Sequence, residues 1–370
     1  MPADLFLRRC ALDEGQLIRR PHVFHGRLPA GVAYPLRHDV NSVEGVEPSA
    51  RILRSDLLQV HHEHYLDRLW RGELSSYHRL LVGKYGLRFE AEHKLAVMAA
   101  GFEALRHAVR SSGFAFSLTG GMHHAFAGHA EGYCFVNDVA VIIAKGRREL
   151  GLRRFLVIDL DAHQGNGTAH IFRNDPDVFT FSMHVRKAGT YPFAHTPQLL
   201  RTLRNENLLR SILFNAKLEA QEESAAEALA EHDETILKQY FQSQPQVTQT
   251  LANALDIIAN DVAELSSVFV PSASRCDLHL PPTMSGRYYV NLLNQNLKSI
   301  FTTQPAFDAA IYLCGSDVME EFGYGLDVLA AREQTLYALL RQMNIPYTVI
   351  FAGGYGPEAH AAFRQALLLH

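Results

Sequence analysis

The sequence predicts an α/β fold with a doubly wound, mostly parallel sheet and helices on both of its faces. Two observations lead to this prediction. Short apolar segments of strand length alternate along the chain with longer segments that have helical spacing. Polar and glycine-rich motifs directly follow several of the apolar segments, as they do at the carboxyl ends of the strands in open α/β sheets.

The first predicted elements are helices. The segment from Ser55 to Leu69 has helical spacing, with Ser55 as a candidate N-cap. Ala91 to Arg110 is rich in alanine and other helix formers, and Val136 to Leu150 is a third predicted helix. The predicted strands are short, apolar and partly β-branched: Ala115–Leu118, Phe155–Ile158, Val178–Met183, Phe307–Leu313 and Tyr347–Phe351.

Composition and charge exclude several classes of function. Of the 370 residues 47% are hydrophobic and 20% are charged, which is ordinary for a globular chain, and we expect one domain over 1–370. The net charge of −4 leaves no basic surface, so we expect no direct nucleic-acid binding. No apolar run reaches the length of about 18 residues that a membrane span needs. The segment from Met1 to Arg20 does not resemble an ordinary signal peptide.

The chain has four cysteines without Cys-x-x-Cys spacing: Cys10, Cys134, Cys276 and Cys314. This usage favours reduced thiols rather than a disulfide framework. We therefore expect a cytoplasmic or otherwise intracellular location, with secretion as an effector as the alternative.

Three residues that can bind a metal follow the predicted strand Phe155–Ile158. If the backbone stays extended there, Asp159, Asp161 and His163 point to the same side. Asp317 lies just beyond another predicted strand. Carboxylate and imidazole ligands suit zinc or ferrous iron rather than calcium. Three protein ligands leave one position for water, and zinc lowers the pKa of such a water to about 7.

The adjacent pair His123-His124 provides candidate proton-transfer groups. Paired histidines in a loop are often merely exposed, but Gly120-Gly121 before them allows the backbone to approach a ligand closely. Tyr355, in the glycine-rich turn 353–356, could donate a hydrogen bond to a carbonyl. Together these residues indicate the hydrolysis of an amide by a metal-bound water.

In their order and spacing these motifs resemble the histone deacetylase family of zinc-dependent amidohydrolases, including its bacterial and class IV members. The resemblance runs from about Leu28 to the end of the chain with one interruption, and it implies an arginase–deacetylase-like fold. Gln164, where many members have histidine, follows the class IV and bacterial pattern. The motifs are Gly-Gly-x-His-His-Ala, Gly-Tyr-Cys-x-x-Asn-Asp, Asp-Leu-Asp-x-His-Gln-Gly-Asn-Gly-Thr and Ala-Gly-Gly-Tyr-Gly.

The resemblance implies a role for each residue of the site. His123 and His124 match the tandem general acid/base pair, with Asp159 and Asn166 as their respective partners. An asparagine partner should leave the pKa of His124 lower than a carboxylate would, because the imidazolium loses an ion pair. Tyr355 matches the tyrosine that donates a hydrogen bond to the substrate carbonyl.

The same resemblance implies metal ions and a substrate tunnel. It implies one zinc ion per chain, with ferrous iron as the alternative, bound by Asp161, His163 and Asp317. A structural potassium ion is implied near Asp159, Asp161, His163 and Ser182. Residues implied to line the tunnel are Gly132, Tyr133, Tyr191 and Tyr324.

These expectations point to the hydrolysis of an acylated lysine side chain in a protein or peptide. Tyr324 is neutral where acetylpolyamine-specific members carry a glutamate, which favours acyl-lysine. Two alternatives are an amidohydrolase of acetylpolyamines or other small N-acyl amines, and an inactive acyl-lysine-binding protein that keeps the fold. A two-manganese site of the arginase type is disfavoured, because Gly165 and Met319 occupy the positions of the extra ligands.

Residues 197–274 interrupt the resemblance. Glu206 to Phe241 and Leu251 to Val268 have helical composition and spacing, so we expect a helical insertion. It precedes Cys276–Pro281, which matches a short strand of the family. The insertion could shape substrate access, build a homo-oligomer contact, or be a tolerated surface segment without function.

Overall fold

A computed structural model of the chain contains one sheet of eight parallel strands. It describes residues 18–24, 43–46, 48–72, 91–186, 274–354 and 358–369, the first two ranges as backbone alone. The spatial order of the strands is β2-β1-β3-β8-β7-β4-β5-β6. In chain order they are β1 (Ile18–Phe24), β2 (Val43–Val46), β3 (Phe114–Ser117), β4 (Phe155–Asp159), β5 (Val178–Val185), β6 (Arg275–Leu280), β7 (Ala309–Cys314) and β8 (Tyr347–Phe351).

Helices connect and cover these strands. No helix in the described part of the chain combines the length and the apolar character needed to cross a membrane. In chain order the α-helices are α1 (Arg54–Leu57), α2 (Glu63–Arg71), α3 (Ala91–His107), α4 (Asp138–Leu150), α5 (Asn166–Ile171), α6 (Gly286–Thr303), α7 (Val318–Phe322), α8 (Leu326–Gln342) and α9 (Ala359–Leu368).

The alternation of side chains along the central strand β7 divides the core into two layers. Ile311 and Leu313 pack in one buried cluster with residues of α3 and α4. Tyr312 and Cys314 pack in the other cluster with residues of α6 and α8. Helices therefore cover both faces of a parallel sheet, which confirms the predicted fold class.

The predicted strands are all present, with ends that differ by up to two residues. The predicted helix Ser55–Leu69 is wrong in detail, because α1 and α2 divide that segment. The backbone N–H of His62 donates to Ala127 O at 2.9 Å, which ties the break between them to the loop that follows β3. Ser55 is not the N-cap, since α1 begins at Arg54 and the Asp56 carboxylate accepts from Leu53 N at 2.7 Å.

Four neighbouring strands end at one edge of the sheet and position the predicted site. In spatial order they are β3, β8, β7 and β4. The His123-His124 loop follows β3, the segment from Asp159 to His163 ends β4, and Asp317 follows β7. The turn after β8 begins at Ala352 and leads to Tyr355, which lies outside the described residues. Because all four strands are parallel, their carboxyl ends bring these loops together.

Candidate metal and acid–base site

The three predicted metal ligands come together at the ends of β4 and β7. One ligand atom from each of Asp161, His163 and Asp317 lies within 4.8 Å of the other two. His163 Nδ1 is 3.2 Å from Asp161 Oδ1 and 3.0 Å from Asp317 Oδ2. Both carboxylates are buried, with 2% and 1% of their residue surface exposed.

These residues fit a zinc-type ion. Ligand atoms at about 2.0–2.1 Å from a tetrahedral ion are separated by about 3.3 Å, close to the distances between His163 Nδ1 and the two carboxylates. Burial raises the pKa of Asp317 to about 7, and the charge of Asp161 adds to that rise. The two buried carboxylates repel each other, so a cation bound between them is stabilising. A ligand set of one imidazole nitrogen and carboxylate oxygens suits zinc or ferrous iron.

Strand alternation does not account for the placement of Asp161 and His163. Strand β4 ends at Asp159. Beyond it, the backbone N–H of Asp161 donates to Asp159 Oδ1 at 3.2 Å and that of His163 donates to Asp161 Oδ1 at 2.9 Å. The predicted convergence of these side chains is correct, but it arises from a bent loop rather than an extended strand.

Hydrogen bonds between the loops hold the ligand carboxylates in place. Ala162 N donates to Asp317 Oδ1 at 2.9 Å, and Gly353 N donates to Asp161 Oδ2 at 2.7 Å. Ser316 N donates to Gly353 O at 2.7 Å. The loop after β4 thus orients the ligand that follows β7, and the loop after β8 orients a ligand that follows β4. The other oxygen of each carboxylate faces the imidazole of His163.

The predicted acid/base pair lies beside this cluster. The ring centroids of His123 and His124 are 4.0 Å apart, and those of His124 and His163 are 6.3 Å apart. His123 Nδ1 lies 2.7 Å from Asp159 Oδ2, and its Nε2 lies 3.8 Å from Asp161 Oδ1. His124 Nδ1 lies 2.8 Å from Asn166 Oδ1. The predicted partners are therefore the observed ones.

The unlike partners give the two histidines opposite charge preferences. Burial lowers the pKa of His123, but the charges of Asp159 and Asp161 outweigh burial and raise it to about 9. Burial lowers the pKa of His124 well below its usual range, and the charge of His123 lowers it further. In the metal-free site His123 is therefore protonated at neutral pH and His124 is neutral.

Asn137 and Asp138, at the start of α4, shape the histidine loop. Asn137 Nδ2 donates to Ala125 O at 2.9 Å, and Asp138 accepts from Gly121 N at 2.8 Å and Met122 N at 2.7 Å. Both residues belong to the Gly-Tyr-Cys-x-x-Asn-Asp motif, but the sequence did not predict this role for them. A carboxylate that accepts two backbone N–H groups fixes the glycine turn before the histidine pair.

Arg332 is a second residue that the sequence analysis missed. It lies on α8 with only 1% of its surface exposed. Its guanidinium donates to Gly315 O at 2.8 Å and Leu160 O at 3.2 Å, and it is paired with Glu333 at 2.6 Å. It thereby links the two loops that carry the predicted metal ligands.

The predicted tunnel residues have different surroundings. A Cβ at Gly132 would lie 2.5 Å from the His124 ring, so only glycine fits there. Tyr133 has a φ of 66° and is 39% exposed. Tyr324 is 7% exposed and stacks on Phe322 with ring centroids 5.0 Å apart. Tyr191 lies outside the described residues, as does the insertion up to residue 273, and the tunnel stays a prediction.

The predicted potassium site also stays a prediction. Ser182 is buried, and its hydroxyl is 2.8 Å from His184 Nδ1. His184 Nε2 is in turn 2.7 Å from His279 Nδ1, so β5 and β6 are linked by side chains as well as by their backbones.

A model of the histone deacetylase domain matches residues 31–268 of this chain. The chain belongs to that family. The matched range is more than half of the chain and contains the histidine pair and the Asp159–His163 segment, whereas Asp317 lies beyond its end.

Three relatives illustrate the similarity of this chain to known proteins. The chain is 44% identical over 85 residues to the acetoin utilization protein AcuC of Bacillus subtilis. It is 40% identical over 72 residues to the human polyamine deacetylase HDAC10, and 31% identical over 143 residues to a histone deacetylase-like amidohydrolase of Pseudomonas aeruginosa. These matches cover 23%, 19% and 37% of this chain. They span only 21%, 11% and 36% of the respective relatives.

Proposed function

We propose that the chain hydrolyses the amide of an acylated lysine side chain and requires one zinc-type ion per chain, with ferrous iron as the alternative. The observation that carries this proposal is the convergence of Asp161, His163 and Asp317 beside the unlike pair His123 and His124. When bound, such an ion supplies a Lewis acid for the amide carbonyl and a water of lowered pKa.

The chain's own residues then divide the proton transfers. His124 is the general base, because it is neutral at physiological pH and the Nδ1 contact to Asn166 leaves Nε2 able to accept a proton. The Asp159 carboxylate beside His123 favours the cationic form of its imidazole, which would stabilise negative charge that develops at the substrate. Tyr355, outside the described residues, is proposed to donate a hydrogen bond to the oxyanion.

A lysine substrate is supported by the neutral residue Tyr324 and by the relative named as a histone deacetylase-like amidohydrolase. The similarity to a polyamine deacetylase favours a second candidate, the hydrolysis of an acetylpolyamine. An acidic side chain would be the natural partner of a distal polyamine ammonium, and Tyr324 offers none.

Parallel assays on the zinc-loaded protein test the proposal. Acetyl-lysine and longer acyl-lysine peptides are compared with an N-acetylpolyamine, and His124→Ala is the matched control for contaminating activity. We expect peptide hydrolysis that the His124 variant loses. Preferential turnover of the polyamine supports the second candidate, and no turnover of either class contradicts the proposal.

A further inference from the structure

The hydrogen-bond network around His124 does not end at Asn166. Asn166 Nδ2 donates to Glu131 Oε1 at 2.9 Å, and Glu131 Oε2 lies 3.3 Å from His129 Nε2. The Glu131 side chain is 4% exposed and that of His129 is 20% exposed. A line of side chains therefore leads from the candidate general base to a buried carboxylate and then to a partly exposed imidazole.

The order of donors and acceptors along this line is fixed by chemistry. A carboxylate only accepts hydrogen bonds, so Glu131 binds the amide nitrogen of Asn166 and turns its oxygen toward His124. An amide oxygen also only accepts, so His124 Nδ1 must carry a proton. Neutral His124 consequently has its lone pair on Nε2, the nitrogen that a general base needs here.

The turn that contains Glu131 does not require its carboxylate. Backbone hydrogen bonds close that turn, from Glu131 N to Cys134 O at 3.0 Å and from Cys134 N to Glu131 O at 2.8 Å. Asn166, at the start of α5, is buried with 4% of its surface exposed, so water does not compete freely for its amide. The carboxylate of Glu131 itself contacts Asn166 and His129.

We propose that Glu131 is a positioning residue, which fixes the amide of Asn166 and thereby the tautomer of His124. The effect of Glu131 on turnover rests on the function proposed above, but the effect of Glu131 on the His124 tautomer does not. An asparagine alone could present either end to the histidine. Glu131 removes that ambiguity and lets an uncharged partner orient the ring as a carboxylate would.

Nitrogen NMR of zinc-loaded, ¹⁵N-histidine-labelled protein tests the tautomer directly, with the His124→Ala spectrum identifying the signals. We expect wild-type His124 to be protonated at Nδ1 when neutral. In Glu131→Leu, which cannot accept a hydrogen bond, part of the His124 population moves to the Nε2-protonated form. Glu131→Gln, whose amide can present either end, shifts a smaller part. The Glu131→Gln variant still tests the effect on the tautomer if Glu131→Leu does not fold. An unchanged His124 signal in every folded variant overturns the proposal.

Steady-state kinetics separate a positioning role from a structural one. The kcat of Glu131→Leu should fall about ten- to hundredfold with KM unchanged, as for other residues that orient a catalytic group. Glu131→Gln should retain more activity. In an Asn166→Ala background the Glu131→Leu change should have no further effect on kcat, because Glu131 acts through Asn166. If the double variant instead lost kcat by the product of the two single-variant factors, the proposal would be overturned.

Glu103→Gln is the matched control for the loss of a buried carboxylate. Glu103 accepts from Ala50 N at 2.9 Å and is paired with Arg106 on α3, and these partners lie outside the histidine loop. Its substitution should leave the His124 signal and kcat unchanged. If no substrate is turned over but the tautomer shifts as expected, the positioning role stands and the proposed function fails.

Discussion

His123 and His124 are neighbours in the chain, yet their environments differ in charge. His123 is next to the Asp159 carboxylate and has a pKa of about 9, whereas His124 is next to the neutral amide of Asn166 and has a pKa well below its usual range. Both rings are almost fully buried, so burial alone cannot separate them. The side chain in contact with Nδ1 of each imidazole therefore decides which ring can accept a proton.

Replacement of each histidine in turn should have the largest effect on kcat and should differ between the two positions. We expect His124→Ala to lower kcat by about 10²–10⁴, the usual contribution of a general base, and His123→Ala to cost less. Steady-state assays on the zinc-loaded variants check this, with metal content measured to show that the ion is kept. Equal losses for the two variants would contradict the division of roles.

His61 offers a test of burial without a neighbouring carboxylate. Burial lowers its pKa to about 4, and its ring accepts from Asn137 N at 3.0 Å. Because the folded pKa is below the unfolded value of 6.5, the unfolded state binds the extra proton. The stabilisation is therefore complete above pH 6.5 and is lost as the pH falls toward 4, by about 3 kcal/mol in total.

Urea unfolding of wild type and His61→Gln at pH 7 and pH 5 measures this effect. The wild type should lose more free energy of unfolding than the variant between the two pH values. An identical pH dependence in both proteins would show that His61 does not stay neutral in the fold.

Gly132→Ala should disturb His124 while leaving His123 in place. The added Cβ would lie 2.5 Å from the His124 ring, at a φ of 52° that disfavours side chains. We expect kcat to fall roughly ten- to hundredfold because the ring must move, with metal binding kept. Gly113→Ala is the matched control, since its φ is 78° but a Cβ there meets nothing within 4 Å. Similar losses of kcat in both would mean that backbone strain alone is responsible.

Asp159→Asn should make the environment of His123 resemble that of His124. Without the Asp159 charge, burial dominates, and the pKa of His123 should fall from about 9 by at least about one pH unit, or roughly 1.4 kcal/mol. An NMR titration of the metal-free protein follows this change. A His123 pKa that stays near 9 would show that Asp159 is not its source.

The strand-end motifs made the site predictable before its geometry was known. His123, Asp161 and Asp317 each follow a buried apolar strand, and parallel strands end at one edge of the sheet. The bend after Asp159 was not predictable, because it depends on hydrogen bonds to side chains of its own loop. Helices α6, α8 and α9 were also not predicted, because none of the motifs lies within them.

Arg332 and Glu131 show why the supporting residues escaped prediction. Along the sequence each is a charged residue of a kind that usually faces solvent. Their roles depend on which carbonyl and amide groups the fold brings into contact with them. The spacing of residues along a helix or strand does not predict those contacts. The signals in the sequence are weak: Arg332 has Glu333 beside it, and Glu131 precedes a glycine.

The metal content of the purified chain tests the central claim most directly. We expect one zinc-type ion per chain, bound by Asp161, His163 and Asp317, and we expect Asp161→Ala to lose both this ion and activity. Elemental mass spectrometry of both proteins after exchange into metal-free buffer gives the ratio. One ion in the wild type and none in the variant is the predicted result. Two manganese ions per chain, or an ion that persists in Asp161→Ala, would contradict it.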